Sequence, residues 1–504
     1  MDYSTARKSK EPDSFSSSRQ SFNELLDSLN SGVTSDMNHS DLERFLQTEG
    51  RELLRKLFEE KLRFRGDGNI GEVVQGSDGV DRLYKRESAR NLKSVFGDVS
   101  VERLGYGKPG EASLFPKDLD LNLPTEIYSH GISRLMSLNA SKGSFDEAIA
   151  TVEEATGVDV PKRQALALVK NAAQDFESFY EQNEPDMPTK RGDFVVVTMD
   201  AKGIVMRKES LTEDTRKRAD ESKTKLTKRL SKGEKANRKR MATVASVYEI
   251  DPFKRTPEQV CSDLRPVRDA VEKKRPRPQN KRVWASVERS PEVVTAEVFE
   301  HASKLDPGSE KTWLALVDGE PNQILRIEKE AKARSVDITI ILDIIHVIEY
   351  LWKASRVFNE ETSKEAQDWV TERLIEILRG NSSHVAAGIR RSATLRDLDE
   401  DDREPVDKCA DYLLNKSAYL KYDKYLERGF PIATGVIEGA CRYLIKDRLD
   451  ITGARWSLDG AEAVLKLRSL RTSGDFEQYW MYHENQELQR NHVAKFKNSN
   501  LPKK

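Results

Sequence analysis

The chain has 504 residues, of which 37% are hydrophobic and 34% are charged, and its formal net charge is −1. This length allows about three domains of ordinary size, with apolar cores beneath a highly charged surface. No run of about 18 apolar residues occurs, and the Ser-rich start has no apolar signal core, so we expect a cytoplasmic protein without a membrane partner. The widely separated Cys261, Cys409 and Cys441 predict neither a disulfide framework nor a zinc site.

The N-terminal third is predicted to contain a leader, a mixed region and a helical region. Residues 1–38 are polar and Ser-rich, which predicts a disordered leader. Residues 39–125 combine a helix, whose apolar residues recur at helical spacing from Ser40, with a small β-hairpin unit around Gly97. Residues 126–185 are predicted to be helical.

Two helices in this third region are separated by a glycine-containing turn. Ser144 is placed to cap the first helix, Gly157 to end it, and Pro161 to begin the second. The pattern is typical of a helix-turn-helix, in which the N-terminal end of the second helix meets base edges of DNA, and equally typical of a plain helical bundle. On the first interpretation, the residues that contact DNA are Lys162, Arg163 and Gln164.

A series of strands begins near the middle of the chain. The run "FVVV" leads to Asp200, Gly203 is predicted to form a turn, and "IVM" is predicted to return as the second strand of a hairpin. A third strand is predicted from Met241. The Pro-, Lys- and Arg-rich residues 251–290 predict a loop or an inserted segment with a positive surface.

Two further strands end at acids and alternate with helices. "WLALVDG" reaches Asp318, and "ITIILD" reaches Asp343. Three strands followed by alternating helices and strands form the order of a ribonuclease-H-like mixed α/β domain. In that layout the first and fourth strands are neighbours, so Asp200 and Asp318 would point into one crevice. Glu438, on a later helix, would add a third carboxylate.

Three carboxylates in one crevice predict a metal site. Two Mg²⁺ ions roughly 3.5–4 Å apart need several hard oxygen ligands, and Mn²⁺ is expected to substitute for them. Such a pair activates an attacking water or 3′-hydroxyl and stabilises the leaving oxygen of a phosphodiester. The predicted catalytic acids and metal ligands are Asp200, Asp318 and Glu438.

Basic segments predict surfaces that bind the DNA backbone, although each is also compatible with an ordinary solvated surface. The run at residues 207–240 ends in Arg238, Lys239 and Arg240, and a second basic segment covers residues 273–282.

Glu438, Arg442 and Lys446 recur at i, i+4 and i+8 and would share one face of a helix, either lining the scissile phosphate or forming a surface ion-pair ladder. Trp456 is expected to be a packing residue, with stacking on a flipped base as the alternative.

Long motifs between about residue 45 and about residue 480 resemble a known family. They include "SVFGDVSVERLGYGK", "VVVTMDAKGIVMR", "LALVDG", "LDIIHVIEYLWKA" and "TGVIEGACRYLIKDRL". These segments are similar to bacterial insertion-sequence transposases of the ISKra group, which are relatives of the Mutator-like DDE transposases. The resemblance implies a ribonuclease-H-like catalytic domain with an Asp-Asp-Glu triad and Mg²⁺, an N-terminal region that binds transposon ends, and a helical insertion before the Glu.

The resemblance also bears on which aspartate is the second triad member. In the family this acid lies in a "DG" after the fourth strand, which matches Asp318, while the next strand carries a Cys/Asp-x-x-His signature, which matches Asp343 and His346. Asp343 is therefore expected to be a neighbour of the triad, and His346 to have a supporting role. The competing assignment stays open, because the strand before Asp343 is the more apolar one.

These observations predict a DNA transposase that cuts transposon ends and joins them to target DNA. Its partners would be double-stranded DNA and, by analogy, further copies of the chain in a dimer or larger assembly, located at the bacterial nucleoid when bound to DNA. The alternatives are a non-catalytic DNA-binding protein derived from a transposase, and another ribonuclease-H-like nuclease.

The fold class predicted is α/β: a ribonuclease-H-like mixed-sheet domain with a large helical insertion, preceded by a mostly helical DNA-binding region with a small β-hairpin unit. The first part of the catalytic core is expected at residues 190–350 and would include a basic insertion at 207–290. It would continue through a helical insertion at 351–430 and a segment carrying the Glu at 431–485, before a polar tail at 486–504.

Overall fold

The computed structural model describes residues 15–182, 192–221, 238–264, 275–451 and 453–497. The chain is an α/β protein that divides into two compact units, Met1–Phe179 with Phe476–Lys504 and Tyr180–Asp475. Within the described ranges, no helix combines the length and apolar character needed to cross a membrane. Outside them lie residues 1–14 of the predicted leader, 222–237 of the basic run, 273–274 of the second basic segment and 498–504 of the predicted tail.

The first unit combines helices with small antiparallel sheets. Its strands are β1 (Val74–Gln75), β2 (Asp81–Arg82), β3 (Tyr84–Ser94), β4 (Gly97–Lys108) and β5 (Glu111–Leu114). β1 pairs with β2, and β3, β4 and β5 form a sheet in that order. The helices are α1 (Ser16–Asn30), α2 (Gly32–Ser35), α3 (His39–Phe64), α4 (Pro116–Leu121), α5 (His130–Lys142), α6 (Phe145–Thr156), α7 (Lys162–Ala172) and α8 (Phe176–Gln182).

The prediction of a disordered leader is wrong for the residues that form α1 and α2. The N-terminus of α1 is held by Glu60 of α3, whose carboxylate accepts hydrogen bonds from the backbone N–H groups of Ser17 at 3.0 Å and Ser18 at 3.2 Å, and from the Ser18 hydroxyl. The first N–H groups of a helix have no partner inside the helix. Because their acceptor lies more than 40 residues along the chain, no local pattern signals this contact.

Local signals elsewhere in this unit predicted its elements correctly. Ser94 pairs with Gly97, so a two-residue turn joins β3 to β4 in the predicted hairpin. Ser144 caps α6 in a reciprocal capping box with Glu147. Gly157 ends the helix with a φ of 73°, and α7 starts directly after Pro161, as predicted.

The second unit is built on a mixed five-stranded sheet. Its strands are β6 (Phe194–Val205), β7 (Lys239–Ile250), β8 (Gln279–Ser286), β9 (Thr312–Val317) and β10 (Ile338–Leu342). They lie in the order β8-β7-β6-β9-β10. β7 pairs antiparallel with both β6 and β8, whereas β6, β9 and β10 run parallel. Val195, Val196 and Val197 are fully buried at the centre, as expected for a strand covered on both faces.

The hairpin predicted at Gly203 is wrong. β6 pairs with β7 without interruption as far as Val205, so "IVM" continues the first strand instead of returning as a second one. Gly203 pairs with Met241, and a Cβ at this glycine would lie 2.7 Å from the side chain of Lys239. The glycine therefore allows a close approach between strands and does not mark a turn.

The third strand of the sheet was missed, because residues 251–290 were predicted to be a loop or an inserted segment. β8 contains four polar or charged residues before Val283 and Trp284, which are buried. Its polar first half hides the strand from a search for apolar runs. The predicted basic insertion at 207–290 consequently includes two strands of the sheet, β7 and β8.

The second unit also contains helices. Those between residues 351 and 430 form the predicted helical segment. The range predicted from Pro321 to Arg334 is confirmed, as is a nearly continuous helical stretch from Lys364. The helices are α9 (Glu213–Glu221), α10 (Pro257–Asp263), α11 (Pro291–Leu305), α12 (Pro321–Arg334), α13 (Ile344–Phe358), α14 (Lys364–Leu378), α15 (Ser382–Leu395), α16 (Glu400–Asn415), α17 (Tyr422–Arg428), α18 (Gly435–Ala440), α19 (Asp447–Leu449) and α20 (Leu458–Ser473).

The chain ends in the first unit, where α21 (Phe476–Asn491) is its last α-helix among the described residues. The prediction of a polar tail from residue 486 is wrong for residues 486–497. Glu487 and His492 are buried, and Phe496 packs in an apolar cluster with Tyr106 of β4. Polar residues at this end are paired within the fold, which composition alone does not reveal.

The contact between Glu60 and α1 yields a stability prediction. Glu60→Ala removes the acceptor for two backbone N–H groups, and we expect a loss of about 1–3 kcal/mol together with faster hydrogen exchange of the α1 amides. Glu49→Ala, at an exposed position of the same helix, is the matched control. Unchanged α1 exchange in Glu60→Ala would contradict this account.

Candidate active site

Two of the predicted acids lie on neighbouring parallel strands. β6 pairs with β9 up to Thr198 and Leu316. Continuing this register by two residues sets Asp200 opposite Asp318, which are separated by 118 positions in sequence. The pairing of two buried strands therefore brings the two carboxylates to one edge of the sheet.

Asp200 and Asp318 line the same cleft, whose volume is about 200 Å³. Asp200 is half-buried, and its Oδ1 accepts a hydrogen bond from Ala201 N at 2.6 Å. Asp318 is exposed, and its Oδ1 accepts a hydrogen bond from Glu320 N at 2.9 Å. The wall also includes Gln323, whose amide donates to the carbonyl of Met199 at 2.7 Å. The cleft thus exposes carboxylate oxygens from two adjacent strands.

Gly319 explains how Asp318 comes to lie at the open end of β9. Its φ of 98° belongs to the left-handed region, which favours glycine. A Cβ at this position would also lie 2.8 Å from Cδ1 of Leu342 on the neighbouring strand. The chain can therefore turn immediately after Asp318 towards α12, and Tyr412 donates a hydrogen bond to the Asp318 carbonyl at 3.3 Å.

Asp343 has a different environment. Continuing the β9–β10 register by one residue sets it beside Asp318, but its side chain is fully buried at the N-cap of α13. Oδ1 accepts a hydrogen bond from Ile345 N at 2.9 Å, and Oδ2 accepts one from the Thr434 hydroxyl. Burial raises the pKa of Asp343, while these hydrogen bonds lower it in part. Both carboxylate oxygens are used within the fold.

Glu438 lies on α18 in the electrostatic field of the other acids. The residue is exposed overall, but partial burial of its carboxyl group raises the pKa of Glu438, and the negative charges of Asp343, Glu349 and Asp200 raise it further. His346 acts in the opposite direction. The imidazole Nδ1 of His346 lies 3.6 Å from the Glu349 carboxylate, so a half-buried histidine pairs with an exposed glutamate beside the acids.

Cys441 contacts the predicted site and was not among the predicted site residues. Its thiol donates a hydrogen bond to Oδ2 of Asp200 at 3.1 Å. Burial, and then the Asp200 charge, raise the pKa of Cys441, so the group stays a protonated donor. Its position three residues after Glu438 was a usable signal, because residues three apart share a helix face.

The helix that carries Glu438 changes geometry directly after α18. Residues Cys441–Lys446 form a π-helical segment, so the α-helical spacing assumed for Glu438, Arg442 and Lys446 does not continue through it. Arg442 and Lys446 are nevertheless both exposed, and Arg442 Nε lies 3.6 Å from Asp447 Oδ1. The predicted cations are present on the surface without a regular ladder.

The other residues predicted to bind DNA are partly engaged within the protein. In the first unit, Lys162 pairs with Asp146 at 2.8 Å, whereas Arg163 and Gln164 are exposed.

In the second unit, Arg238 is half-buried, Lys239 lies 3.8 Å from Asp450, and Arg240 donates to the Val287 carbonyl at 2.9 Å. Of these three, only Lys239 is exposed, so the described end of the basic run, residues 238–240, offers less free charge than its composition suggests.

Trp456 is a packing residue, as predicted. It is buried, its indole N–H donates to the Leu449 carbonyl at 3.1 Å, and the Arg448 guanidinium lies 4.7 Å from the ring centre.

A separate group of potential ligands occurs in the first unit. Ligand atoms of the buried Asp175, His483 and Glu487 lie within 4.8 Å of one another. Arg490 donates to both Asp175 oxygens at 3.0 Å and to Glu487 at 2.7 Å. The guanidinium supplies the positive charge that these acids need, so we interpret the group as a buried ion-pair network.

The donor set around the cleft fits a divalent cation. Asp200 and Asp318 present hard oxygen atoms in the cleft. Glu438 is not among the residues that line the cleft, but it lies close enough for the negative charges of Asp343 and Asp200 to raise its pKa, a repulsion of the kind that a bound cation relieves. No protein-family model matches the chain, and no curated protein matches it significantly.

Asp343 yields a prediction about stability and pH. Its pKa in the folded chain is raised above the usual value of about 3.9. As pH rises, Asp343 therefore loses its proton in the unfolded chain before it does so in the folded chain. Its contribution to the free energy of unfolding consequently falls as pH rises from the unfolded pKa to the folded pKa. Asp343→Asn removes the penalty, and we expect its stability relative to wild type to increase over this pH range, measured by urea unfolding.

The matched control is Asp337→Asn, at an exposed position preceding the first residue of β10. A relative stability of Asp343→Asn that falls as pH rises would contradict the assignment of Asp343 as a buried cap with a raised pKa.

Proposed function

We propose that this chain is a DNA transposase with a ribonuclease-H-like catalytic domain. The observation that carries the proposal is the position of Asp200 and Asp318 at equivalent places on adjacent parallel strands, open to one cleft. The sheet supports it: numbered along the chain within this unit, the strands lie in the order 3-2-1-4-5, with the first three antiparallel and the last two parallel to the first. Glu438 adds the third acid of the proposed triad.

Asp200, Asp318 and Glu438 would hold two Mg²⁺ ions, for which Mn²⁺ would substitute. When bound, such ions activate the attacking oxygen and stabilise the leaving oxygen of a phosphodiester. The chain's own residues hold the ligands in place: the Cys441 thiol binds Asp200, and Tyr412 binds the backbone of Asp318. Preorganised ligands need no rearrangement when the substrate arrives.

The proposed chemistry needs no protein nucleophile. In the first step the oxygen of water attacks the phosphorus at a transposon end, and the 3′ oxygen leaves as a hydroxyl. In the second step this 3′-hydroxyl attacks a target phosphodiester, whose own 3′ oxygen leaves. Each step exchanges one P–O bond for another, so positioning and charge stabilisation suffice.

Asp318 is the better candidate for the second acid because it is exposed in the cleft with Asp200, whereas Asp343 is buried and fully hydrogen-bonded. We assign Asp343 a positioning role. Its partner Thr434 immediately precedes α18, so the buried carboxylate fixes the start of the helix that carries Glu438. His346 would support the same region through its pair with Glu349.

The proposed partner is double-stranded DNA, with the transposon ends bound by a region that includes Lys162, Arg163 and Gln164. Arg442 and Lys446 are exposed on the segment that follows Glu438, where they would contact phosphates near the cut. A dimer or larger assembly at the nucleoid would bring two ends together.

A cleavage assay tests the triad directly. With oligonucleotides from the DNA that flanks the gene and Mg²⁺ or Mn²⁺, we expect Asp200→Asn, Asp318→Asn and Glu438→Gln each to lose at least about 10²-fold in rate while retaining DNA binding. Asp343→Asn should retain cutting, and Asp337→Asn is the control. Loss of cutting in Asp343→Asn with activity in Asp318→Asn would exchange their roles.

Failure of the wild type to cut any end sequence, with binding intact, would favour a non-catalytic DNA-binding protein. Cutting without strand transfer would favour another ribonuclease-H-like nuclease.

The cations after Glu438 can be tested by the salt dependence of DNA binding. Replacing Arg442 and Lys446 by Gln should weaken binding to all sequences alike and reduce the slope of log affinity against log salt by about one per lost phosphate contact. Lys364→Gln, at an exposed position on α14, should leave the slope unchanged. An unchanged slope in the double variant would exclude these residues from the DNA interface.

A further inference from the structure

Among the described residues, the helix pair α1 and α3 leaves an apolar surface partly exposed. In the described chain, Leu62 is the only large apolar residue of these two helices that is buried. Seven others, which recur at helical spacing, remain between 36% and 52% exposed. The remaining large apolar residues of the pair are half-buried: Leu25, Leu29, Leu42, Phe45 and Leu53. We call the following set the N-terminal apolar face: Phe22, Leu26, Leu46, Leu54, Leu57 and Phe64.

Contacts between the helices place these side chains on one side of the pair. Glu60 binds Ser17 and Ser18, and Lys56 binds the Ser21 hydroxyl at 2.6 Å, so α1 runs antiparallel to α3. At about 100° of rotation per residue, the four α3 residues of the face lie on one strip of the helix surface, directly beside the contact with α1. Phe22 and Leu26 project from α1 to the same side.

The β-hairpin covers a different side of α3. Arg55 donates to the Asp98 carbonyl at 3.3 Å, and Glu59 accepts a hydrogen bond from Ser100 N at 2.8 Å. Both residues lie well over 90° around α3 from Leu46 and Leu57 at helical spacing. The apolar face is therefore not the surface by which α3 packs on its own unit.

Gly50 lies in the middle of this face. Glycine in a helix interior is unfavourable relative to alanine, and its usual justification is a close neighbour. A Cβ at Gly50 would meet no atom within 4 Å among the described residues, and the φ of this glycine is not positive. No contact among the described residues therefore explains a glycine at this position, and the space beside it is open to a close neighbour.

The charges around the face fit a second copy of the same surface. α3 contains six acidic and six basic residues, so its net charge does not suit a polyanion such as DNA. Glu43 lies before the apolar stretch and Lys61 after it, on the same stripe. In an antiparallel pair of α3 helices, each Glu43 would meet the Lys61 of the other copy at both ends.

We propose that the N-terminal apolar face is the docking site for a second copy of this chain. Two α1–α3 pairs pack face to face across a two-fold axis that crosses α3 at the level of Glu52, within one helical turn of Gly50, forming a four-helix bundle. Two helices about 10 Å wide and some 30 Å long present about 600 Å² per copy, near the roughly 800 Å² typical of stable interfaces. The inference names a surface for the dimer or larger assembly of the proposed function, and it does not depend on the catalytic chemistry.

Sedimentation equilibrium of the full chain without DNA measures this association. We expect the wild type to be a dimer. Leu46→Glu and Leu57→Glu should each increase the dissociation constant of the dimer at least about tenfold. Leu395→Glu, at the 76% exposed end of α15, is the matched control and should dimerise as the wild type does. A monomeric wild type, or Glu variants that dimerise as tightly as wild type, would overturn the proposal.

Two further variants separate docking from folding. Gly50→Leu adds a side chain that meets open space in the single chain, so its thermal unfolding should not worsen while dimerisation weakens. Glu43→Lys and Lys61→Glu should each weaken the dimer, and the double exchange should restore it. Unimpaired association of Gly50→Leu, or a double exchange weaker than either single one, would overturn the antiparallel arrangement.

Discussion

The pairing of β6 with β9 is the constraint on which the candidate site depends. Two strands separated by more than a hundred residues are held side by side because Val195, Val196 and Val197 are buried between them and their neighbours. Their register sets Asp200 opposite Asp318 at one edge of the sheet. A shift by one residue would turn one carboxylate to the opposite face, so the apolar pattern of the strands determines the geometry of the acids.

The remaining contacts act on this pair from the helical parts of the same unit. Cys441 reaches Asp200 from the segment after Glu438, and Tyr412 reaches Asp318 from α16. Asp343 acts on the third acid instead. Its buried carboxylate accepts a hydrogen bond from Thr434, which directly precedes α18, and so joins the end of β10 to the helix that carries Glu438. Three aspartates, one inside β6 and two directly after β9 and β10, thus have different environments and different proposed roles.

Much of this architecture could be predicted wherever its signals are local. The caps at Ser144 and Gly157, the helix from Pro321, and the strands that reach Asp318 and Asp343 all follow from neighbouring residues. The errors concern contacts between distant residues. α1 depends on Glu60, β8 is specified by its place in the sheet, and the last residues are buried through pairs with other segments. The burial of Asp343 is likewise a tertiary fact without a signature in sequence spacing. The contact of Cys441 with Asp200 is also tertiary, although the position of Cys441 three residues after Glu438 offered a signal for it.

We propose that Asp200 and Asp318, together in one cleft, hold the catalytic cation. The most direct measurement is anomalous X-ray scattering from crystals of the protein containing Mn²⁺. We expect a manganese ion within bonding distance of carboxylate oxygens of both Asp200 and Asp318, with Asp343 still hydrogen-bonded to Thr434. A manganese ion within bonding distance of Asp343 but not of Asp318 would contradict this proposal.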